Sequence, residues 1–375
     1  MANILIFGGG FGGVVAAEQL ALELGGSHHI TLVSHSERFT FYPALVRVAF
    51  GDTEPDDVSF NLRETLLDVR VNFIQAEVAR VDPFHKKLIF AHGEVTGEMP
   101  YDYLVYAPGR RLATENTPGF YEHAHHLLGV TAALKFGAAI RNFTEGRIVL
   151  GNCLDSRLSV PVYETAFALS RLLEKRGARA RSEIKLVLPA TPGDLLGEPH
   201  TAGAIISLLA KHNIDISLDF APARINENEL IATDGASLPY DLLMLIPAFR
   251  GPGALTDTGL TDEEGYVVVD EKMRVQGVGE MYAVGDATSF PGPKMGHMAV
   301  HQALVAATNL AAEIKGQRPN ATYQHEMRFI LDEGGDDSLY VRQRLTNGEP
   351  AHVRQGLFWH WAKRVQEKTW LMQHS

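Results

Sequence analysis

Cysteine and basic clusters are the scarcest features of this 375-residue sequence. It has one cysteine, Cys153, and a formal net charge of −11 at pH 7. A single thiol excludes an internal disulfide, a C-x-x-C redox pair and a cysteine-based zinc site. Nucleic-acid binding needs clustered Lys and Arg, and no such run is present. We therefore expect no nucleic-acid partner and no electron transfer through a cysteine pair of this chain.

Long apolar runs are also missing. No stretch approaches the roughly 18 to 20 apolar residues that a membrane-spanning helix needs. The first β-like run starts at Ile4, which leaves no room for a cleavable leader, so we expect no secretion signal. The length predicts two or three domains. The expectation is a protein that is soluble or lies on a membrane surface.

The clearest motif that is present lies at the start of the chain. Residues 4–13, ILIFGGGFGG, are an apolar β-run that breaks into glycines, and a small-residue helix pattern follows. Gly8, Gly10 and Gly13 fill the G-x-G-x-x-G pattern, which turns the chain, admits a pyrophosphate and lets helix pack on strand. The free N–H groups and positive end of the helix face the phosphates. The motif predicts a dinucleotide site rather than an accidental glycine-rich turn.

The end of the next strand departs from the NAD pattern. The run HHITLVS at 28–34 is the natural second strand of a βαβ unit, where an NAD site usually has Asp or Glu. Ser34 stands there instead, and its hydroxyl can form one hydrogen bond with a ribose. The alternating runs at 71–82 and 86–93 predict strands of a smaller sheet. The run at 101–109 predicts a buried strand that ends in a Pro-Gly turn.

A second unit of the same kind begins near residue 110. Its glycine loop is broken, because alignment on Gly151 puts Cys153 and Ser156 at the second and third glycine positions. A Cβ at the second position blocks the approach of a phosphate, and the next strand ends at Leu188 and Pro189 rather than at an acid. We expect a Rossmann-like scaffold with a degenerate NAD site. Its predicted helices are 131–143 and 163–177, and its predicted strands are 146–152 and 183–193.

The chain then returns to the first unit. The strand MYAVGDA ends in Gly285 and Asp286, and a long apolar-faced helix follows a Pro-Gly loop. The expected fold class is α/β, with two Rossmann-like dinucleotide-binding domains. Residues 1–110 and 245–320 form the first domain, residues 111–244 form the second, and residues 321–375 form a C-terminal region.

Four stretches give the chain a family resemblance. They are ILIFGGGFGG, ITLVSHSERFTFYP, IPAFRG at 246–251, and MYAVGDAT followed by PKMGHMA. Together they resemble the sulfide:quinone oxidoreductases, glutathione-reductase-like flavoproteins related to the flavocytochrome c sulfide dehydrogenase flavoprotein and type II NADH dehydrogenase. The resemblance covers nearly the whole chain. It implies non-covalent FAD in the first domain.

The resemblance also implies which residues hold FAD. The first glycine loop would hold the pyrophosphate, Asp286 the ribityl chain or a nearby phosphate, and Lys294 would lie beside the isoalloxazine ring near the quinone. A cation there stabilises the anionic reduced flavin, so Lys294 is a candidate catalytic residue. The alternatives are that Asp286 caps the next segment and that Lys294 is a solvated surface lysine. The expected FAD-binding residues are Gly8, Gly10, Phe11, Gly12, Gly13, Ser34, Val78, Ala107, Pro108, Gly109, Gly285, Asp286, Lys294, Met295 and Gly296.

One departure from the family concerns its catalytic cysteines. The family has a cysteine three residues before a Pro-x-Tyr-Glu segment; this chain keeps that segment from Pro161 to Glu164 but has Leu158 at the cysteine position. The second cysteine would lie near Met327 and Arg328, where none exists. Because thiolates attack the flavin and hold growing sulfur chains, ordinary oxidation of sulfide to polysulfide is not expected.

The cysteine, one glutamate and one histidine pair each have two interpretations. Cys153 is either a lone catalytic thiolate or a buried packing residue, and we favour packing. Glu164 is either a proton relay at the flavin, as an acid at this point is in relatives, or a favourable acid in the first helical turn. His297 and His301 share a helix face as metal ligands would, but without an evident third ligand we expect core or pocket histidines and no metal.

The last 17 residues hold all three tryptophans, Trp359, Trp361 and Trp370. Phe358, Trp361, Ala362 and Val365 make one helical face, and Lys363, Arg364 and Lys368 add positive charge. Tryptophan and cations on an amphipathic helix are typical of interfacial membrane binding. The alternative is a helix packed on its own domain or on a dimer mate. We expect Phe358, Trp359, Trp361 and Trp370 to contact the membrane or quinone, as the resemblance also implies.

These expectations define a function. We expect an FAD-dependent, peripherally membrane-bound oxidoreductase that passes two electrons from a small reductant to a quinone, with a homodimer possible. One alternative is NADH:quinone oxidoreduction, which the broken second loop disfavours. The other is a flavin-holding redox sensor or assembly component that does not turn over.

Overall fold

The structure is a computed structural model that describes residues 1–189, 199–335, 337–346 and 349–375. Its first domain is built on a sheet with β1 (Asn3–Phe7) near the centre. Parallel neighbours β2 (His29–Ser34) and β8 (Tyr103–Tyr106) flank it, with Ile4 opposite Ile30 and Tyr103. Ile4 and Ile6 are fully buried, as expected for a strand covered on both faces. The strand therefore ends, at Phe7, in the middle of the sheet edge where α/β proteins bind ligands.

Small residues let two long helices pack closely on this sheet. They are α1 (Phe11–Leu24) and α8 (Gly296–Ile314), and each begins next to a strand end. Ala16 and Ala17 of α1 and Ala303 of α8 are fully buried. Because both helices start at the same sheet edge, their N-termini converge on one place.

The second domain has a smaller parallel sheet of strands β12, β11, β10 and β16 in that order. Its strands are β10 (Arg147–Asn152), β11 (Glu183–Val187), β12 (Asp215–Ser217) and β16 (Leu242–Ile246). The predicted domain boundary at 245 is wrong, because it cuts β16, which pairs with β10 from Ile148 to Asn152. The apolar run at 240–250 gave no sign of the sheet to which it belongs. The predicted strand 183–193 ends at Val187, and its part from residue 190 lies outside the described residues.

The C-terminal region consists of an antiparallel sheet and a helix. Strands β19 (Glu326–Leu331), β20 (Leu339–Arg344) and β21 (His352–Gln355) pair in that order, and α9 (Leu357–His374) follows. None of the helices in the described part of the chain is long and apolar enough to cross a membrane.

The remaining elements agree with the predicted runs to within about three residues where a run was predicted. The other helices are α2 (Leu45–Phe50), α3 (Leu62–Asp68), α4 (Phe120–His123), α5 (Val130–Asn142), α6 (Val160–Lys175) and α7 (Pro199–Lys211). The other strands are β3 (Arg38–Thr40), β4 (Ser59–Asn61), β5 (Asn72–Asp82), β6 (Lys87–Gly93), β7 (Gly97–Pro100), β9 (Arg111–Leu112), β13 (Pro222–Asn226), β14 (Glu229–Ala232), β15 (Ser237–Pro239), β17 (Phe249–Arg250) and β18 (Met281–Ala283).

Candidate functional site

The first glycine loop turns between β1 and α1 under tight steric limits. Gly8 has φ +116°, and a Cβ there would lie 2.1 Å from the carbonyl oxygen of Ala107. A Cβ on Gly13 would lie 1.8 Å from the carbonyl oxygen of Gly8. No side chain fits at either place, so these two glycines are required by the turn and by the packing of α1 on β1.

Gly10, the second glycine of the motif, has a different environment. A Cβ there would meet no atom within 4 Å, so the space above the loop is open. Gly10 is the N-cap of α1 and provides no side-chain cap for the first-turn N–H groups. Free donors beside open space at a helix N-terminus suit a phosphate group. The loop therefore fits the pyrophosphate of a dinucleotide.

Three loops meet at this point. A Cβ on Gly12 would lie 2.9 Å from Val284, next to Gly285, and one on Gly296 would lie 3.0 Å from the ring of Phe11. Ser34 is buried at the end of β2, where a Cβ on Gly9 would lie 2.8 Å from its Oγ. The structure thus brings together most of the residues expected to bind FAD, from the end of β8 to the start of α8. Val78 lies apart from these loops on β5, beside an irregularity in its pairing with β6.

Asp286 is held in place at the end of β18. Its carboxylate forms an ion pair with Arg110, and the Arg110 guanidinium lies 4.2 Å from the ring centroid of Phe249. The backbone N–H of Gly285 donates to Oε1 of Gln302, at 2.6 Å. The Asp286 carboxylate is therefore fixed by Arg110 just after the end of β18.

The hydrogen bond at Gly285 belongs to a longer chain. Gln302 bonds the Tyr323 hydroxyl, which lies 3.1 Å from Nδ1 of His325. Nε2 of His325 lies 2.8 Å from the carbonyl oxygen of Pro291 and donates to it. That donation leaves Nδ1 as the acceptor for the Tyr323 hydroxyl. The chain thus connects the Gly285 loop with the loop that carries Lys294.

Lys294 is buried, so it is not the solvated surface lysine of the alternative reading. Its ammonium group donates to the carbonyl oxygens of Thr288 and Phe290 and lies 4.5 Å from the ring centroid of Tyr266. Burial lowers the pKa of Lys294 to about 8, although the Asp286 carboxylate opposes that shift. A cation of this kind, held beside the dinucleotide loop, can stabilise a developing negative charge.

Glu164 faces the C-terminal helix. Its buried carboxylate forms an ion pair with Lys363 and accepts the backbone N–H of Asp332, at 2.9 Å. Burial raises the pKa of Glu164, while Lys363 opposes the shift. Asp332 in turn pairs with His360, Oδ1 to Nδ1, at 2.8 Å. Helix α6 begins at Val160 and has no acid in its first turn, so the reading of Glu164 as a first-turn acid is wrong.

The second glycine loop differs from the first at the position that aligns with Gly10. Gly151 aligns with Gly8 and is packed as tightly, because a Cβ there would lie 2.2 Å from the carbonyl oxygen of Val187. The residue that aligns with Gly10 is Cys153, whose side chain is buried. The next residues are fixed by ion pairs of Asp155 with Arg250 and of Arg157 with Glu264. Helix α6 begins only at Val160. This geometry favours the degenerate NAD site that the sequence predicts.

Cys153 is not a catalytic residue. It is 1% exposed in an apolar cluster with Val149, Val187 and Phe120, and burial raises the pKa of its thiol to about 12. A thiol of that kind is not a nucleophile at neutral pH. The prediction that it packs as a small hydrophobic residue is confirmed, and the catalytic reading is wrong.

The family's two cysteine positions lie near the dinucleotide domain but hold other side chains. Leu158 is half-buried, and its carbonyl oxygen accepts a hydrogen bond from Asn152 at 3.0 Å. Met327 on β19 is fully buried. His297, also near β19, accepts the backbone N–H of Arg328 at 3.0 Å, as expected of a pocket histidine.

Two of the tryptophans expected at the membrane face inward. Trp370 stacks on Phe39, with ring centroids 4.7 Å apart, and touches Phe11. Trp359 stacks on Tyr340, with centroids 4.3 Å apart. Both side chains are thus partly buried against the protein, and their expected contact with a quinone stays a prediction. Phe358 and Trp361 are 69% and 60% exposed, so these two remain candidates.

Sequence reasoning missed Asp332, His360, Gln302, Tyr323 and His325 and misassigned Lys363, which it counted among the charges of the tail surface. The partners of Glu164 lie 168 and 199 residues away along the chain. One usable signal was the spacing of His360 and Lys363 by three residues, which puts both on one helix face.

Two dinucleotide-type domains, one open phosphate loop and a buried cation beside it define an FAD-dependent oxidoreductase. Residues 2–151 and 183–304 match the family model "Pyridine nucleotide-disulphide oxidoreductase", which is more than half of the chain. The chain belongs to this family. FAD is its cofactor, and the fold is the α/β flavoprotein fold that the sequence predicts.

Individual relatives are more distant. The mouse mitochondrial sulfide:quinone oxidoreductase is 24% identical over 343 residues, which cover 86% of this chain and 73% of the relative. A type II NADH:quinone oxidoreductase of Staphylococcus epidermidis is 22% identical over 365 residues, covering 90% of this chain and 89% of the relative. The crystal structure of sulfide:quinone oxidoreductase from Aquifex aeolicus matches 100% of this chain and 91% of its own with a TM-score of 0.93 and 23% identity. That last similarity supports the fold.

Proposed function

We propose that this protein is a sulfide:quinone oxidoreductase-like enzyme that passes two electrons from a small reductant through FAD to a quinone at a membrane surface. The single observation that carries the membrane and quinone part is an exposed apolar stripe along α9. The protein-facing side of the helix carries ion pairs as well as Trp359 and Trp370. Similarity to relatives named as quinone oxidoreductases supports the same assignment.

The exposed face of α9 is unusual for a surface helix. Phe358, Trp361, Val365 and Met372 are 69%, 60%, 62% and 71% exposed and recur at spacings of three, four and seven residues. The opposite face is tied to the protein by ion pairs of Lys363 with Glu164, Glu367 with Arg47 and His374 with Glu18. An exposed apolar stripe along a whole helix marks an interaction surface. A bilayer interface suits it because Lys368 and Arg364 flank the stripe.

The inner face of α9 supports the quinone part. Reduction of a quinone needs protons as well as electrons, and a buried carboxylate with raised pKa beside an ammonium group can supply them. Glu164 and Lys363 form such a pair at the inner side of the helix whose outer side would contact the membrane. We therefore assign them to proton transfer at the quinone. This role of Glu164 agrees with the relay that the resemblance implies.

FAD supplies the two-electron chemistry when it is bound. The residues that would hold it are those of the first glycine loop, Ser34, the Gly285–Asp286 turn and the loop from Lys294 to Gly296. Lys294 would stabilise negative charge on the reduced cofactor. Residues Leu158 and Met327 provide no nucleophile, so the donor reacts without a thiolate of this protein.

The donor is tested by anaerobic reduction of the purified holoenzyme. Sulfide, NADH and small organic reductants are mixed with the protein, the bleaching of the flavin spectrum is followed, and a soluble quinone is then added. Rapid bleaching by NADH but not by sulfide would contradict the leading assignment and support an NADH:quinone oxidoreductase. If no reductant bleaches the flavin and no quinone reoxidises a chemically reduced flavin, the protein is a binding or sensor protein.

Membrane binding has its own test. Trp361→Ser with Phe358→Ser should abolish co-sedimentation with anionic vesicles, because both side chains are exposed on the proposed contact face. Leu22→Ser on α1 is the matched control, since Leu22 is 78% exposed but lies outside α9. Equal loss of vesicle binding in the control, or none in the double variant, would rule out α9 as the membrane surface.

A further inference from the structure

A charged cavity lies between α2, α6 and α9, on the inner side of the proposed membrane helix. Its volume is about 50 Å³, which is enough for one or two waters. Its lining runs from the buried Glu164 to the exposed Asp52, so it connects the Glu164–Lys363 pair with the protein surface. The lining residues are Pro43, Val46, Arg47, Phe50, Asp52, Glu164, Ala168, Arg171, Asp332, Gly334, Lys363, Arg364 and Glu367.

The inner end of the cavity is a cluster of titratable groups in contact with one another. Asp332 lies beside the Glu164–Lys363 pair, donates its backbone N–H to Glu164 and pairs through its carboxylate with His360. His360 and Asp332 have side chains 15% and 14% exposed, so both are in partial contact with solvent. Imidazole and carboxylate groups that touch solvent can exchange protons with water, and the His360–Asp332 pair is placed to do so.

Water in this cavity is expected on chemical grounds. Arg47 Nε and Arg171 Nη1 are buried atoms without a hydrogen-bond partner among the described residues, and both residues line the cavity. Buried polar atoms of this kind are usually satisfied by ordered water. The cationic and anionic side chains that line the cavity balance in number. The charged groups facing the Glu164–Lys363 pair are Arg47 and Asp52 from α2 and its end, Arg171 from α6, Asp332 before β20, and His360, Arg364 and Glu367 from α9.

We propose that this cavity is the proton entry to the quinone site, with the His360–Asp332 pair taking up protons and cavity water passing them to the Glu164–Lys363 pair. The proposal rests on the proposed quinone reductase function. It separates two paths, since the quinone arrives from the apolar face of α9 and the proton from the charged side. His360 and Asp332 are positioning and relay groups and are not in contact with the quinone.

The proton balance defines what the path has to deliver. A quinone becomes a quinol with two electrons and two protons, of which the reduced cofactor supplies both electrons and one proton. The second proton leaves the Glu164–Lys363 pair as an O–H bond forms on the quinone. The pair regains it, through water, from the imidazolium of His360, which is recharged from solvent. No further oxidant or reductant is involved.

The test compares two His–carboxylate pairs on the same helix. His360→Gln and Asp332→Asn change the pair beside the cavity, while His374→Gln and Glu18→Gln change the pair at the other end of α9, where His374 and Glu18 lie 2.6 Å apart. Chemically reduced holoenzyme is mixed with a soluble quinone, and flavin reoxidation is followed between pH 6 and 9. We expect roughly tenfold slower reoxidation in the cavity variants above pH 8. The quinone KM and the flavin midpoint potential should stay unchanged, and added imidazole should partly restore His360→Gln.

The outcomes that would overturn the proposal are distinct from failure of the proposed function. Wild-type reoxidation rates in His360→Gln and Asp332→Asn at every pH exclude this path but leave quinone reduction intact. Equal slowing in the His374→Gln control shows a general effect on α9 and also excludes the path. If no quinone reoxidises the wild-type enzyme, the proposed function itself is wrong and this inference falls with it.

A second readout does not depend on activity. Ala168 lines the cavity one helical turn after Glu164, so Ala168→Leu should fill it. High-resolution crystal structures should show ordered water between Asp332 and the Glu164–Lys363 pair in the wild type and none in Ala168→Leu, which should also reoxidise about tenfold more slowly if water carries the proton. A dry wild-type cavity, or unchanged rates in a filled one, would refute the proposal.

Discussion

The two Rossmann-like domains each have a glycine loop after their first strand, and the two loops differ in what occupies the space above them. Above Gly10 no atom lies within 4 Å of a Cβ, and the first turn of α1 has no side-chain cap. The residue of the second loop that aligns with Gly10 is Cys153, whose buried side chain packs in an apolar cluster, and ion pairs of Asp155 and Arg157 fix the following residues. The second glycine position is thus open in one domain and filled by a side chain in the other.

The second domain also contributes to the proposed quinone site, through the helix that follows its loop. Its helix, α6, presents Glu164 to the C-terminal helix instead of N–H groups to a nucleotide. A domain that has lost its nucleotide geometry can still supply one side chain to the site of its neighbour. The fold therefore does not tell which of two Rossmann-like domains binds a cofactor. The local geometry of each loop does.

The largest expected effect comes from a carboxylate in the open loop. Gly10→Asp should weaken FAD binding by about a thousandfold, because the Asp side chain would bond the first-turn N–H groups that the pyrophosphate needs and would repel it. The apoprotein should not lose stability, since Gly10 has the extended backbone (φ −87°) of an N-cap residue. Fluorescence titration with FAD measures the affinity, and urea unfolding of the apoprotein measures the stability.

Gly151→Ala is the comparison variant in the second loop, at the glycine that aligns with Gly8. Its Cβ would lie 2.2 Å from Val187 O, so unfolding should become easier by about 2 kcal/mol while FAD affinity stays within twofold. Loss of FAD from folded Gly151→Ala, or full FAD binding by Gly10→Asp, would contradict the assignment of FAD to the first loop alone.

The second largest effect concerns the buried pair that α6 forms with α9. Glu164→Gln should lower the free energy of unfolding by about 3 kcal/mol, because it leaves the Lys363 ammonium buried without its counter-ion. Adding Lys363→Met should recover most of that loss. The control is Glu145→Gln, whose partner Arg181 is 59% exposed and whose effect should be below about 0.5 kcal/mol. Equal losses of stability in Glu164→Gln and Glu145→Gln would show that the Glu164–Lys363 pair is exposed to water in solution.

The sequence predicts the local structure of the two loops well, but it predicts contacts between distant parts of the chain poorly. Strand and helix bounds, the role of Gly8, Gly10 and Gly13 and the weakness of the loop at Gly151 all follow from patterns within about ten residues. The Glu164–Lys363 pair does not, because its members are 199 residues apart and no spacing rule connects them. The inward positions of Trp359 and Trp370 were missed for the same reason, since Tyr340 and Phe39 are defined only by the fold.

A smaller effect is expected at Lys294. Lys294→Met should lower the flavin midpoint potential by about 30 mV at pH 7, about 1.4 kcal/mol for a two-electron couple, because a cation beside the reduced cofactor is lost. The difference should shrink above pH 8, where the wild-type lysine gives up its proton, since burial lowers the pKa of Lys294 to about 8. Redox titration from pH 6 to 9 measures both. Lys211→Met in the second domain is the control. A potential shift in Lys211→Met equal to that in Lys294→Met, or a shift in Lys294→Met that does not change with pH, would contradict the role of Lys294.

The smallest effect is expected from emptying the second loop. Asp155→Ser with Glu264→Gln removes two ion pairs whose members are 23% to 39% exposed, so stability should fall by less than about 1 kcal/mol. The variant should still not bind NADH, because Cys153 still fills the second glycine position and seven residues still separate the end of β10 from the start of α6. Calorimetric titration with NADH, and bleaching of the flavin by NADH, measure this directly. NADH binding gained by the variant would mean that the ion pairs, and not Cys153 and the start of α6, close the second site. The two loops would then differ by a few side chains rather than by their geometry.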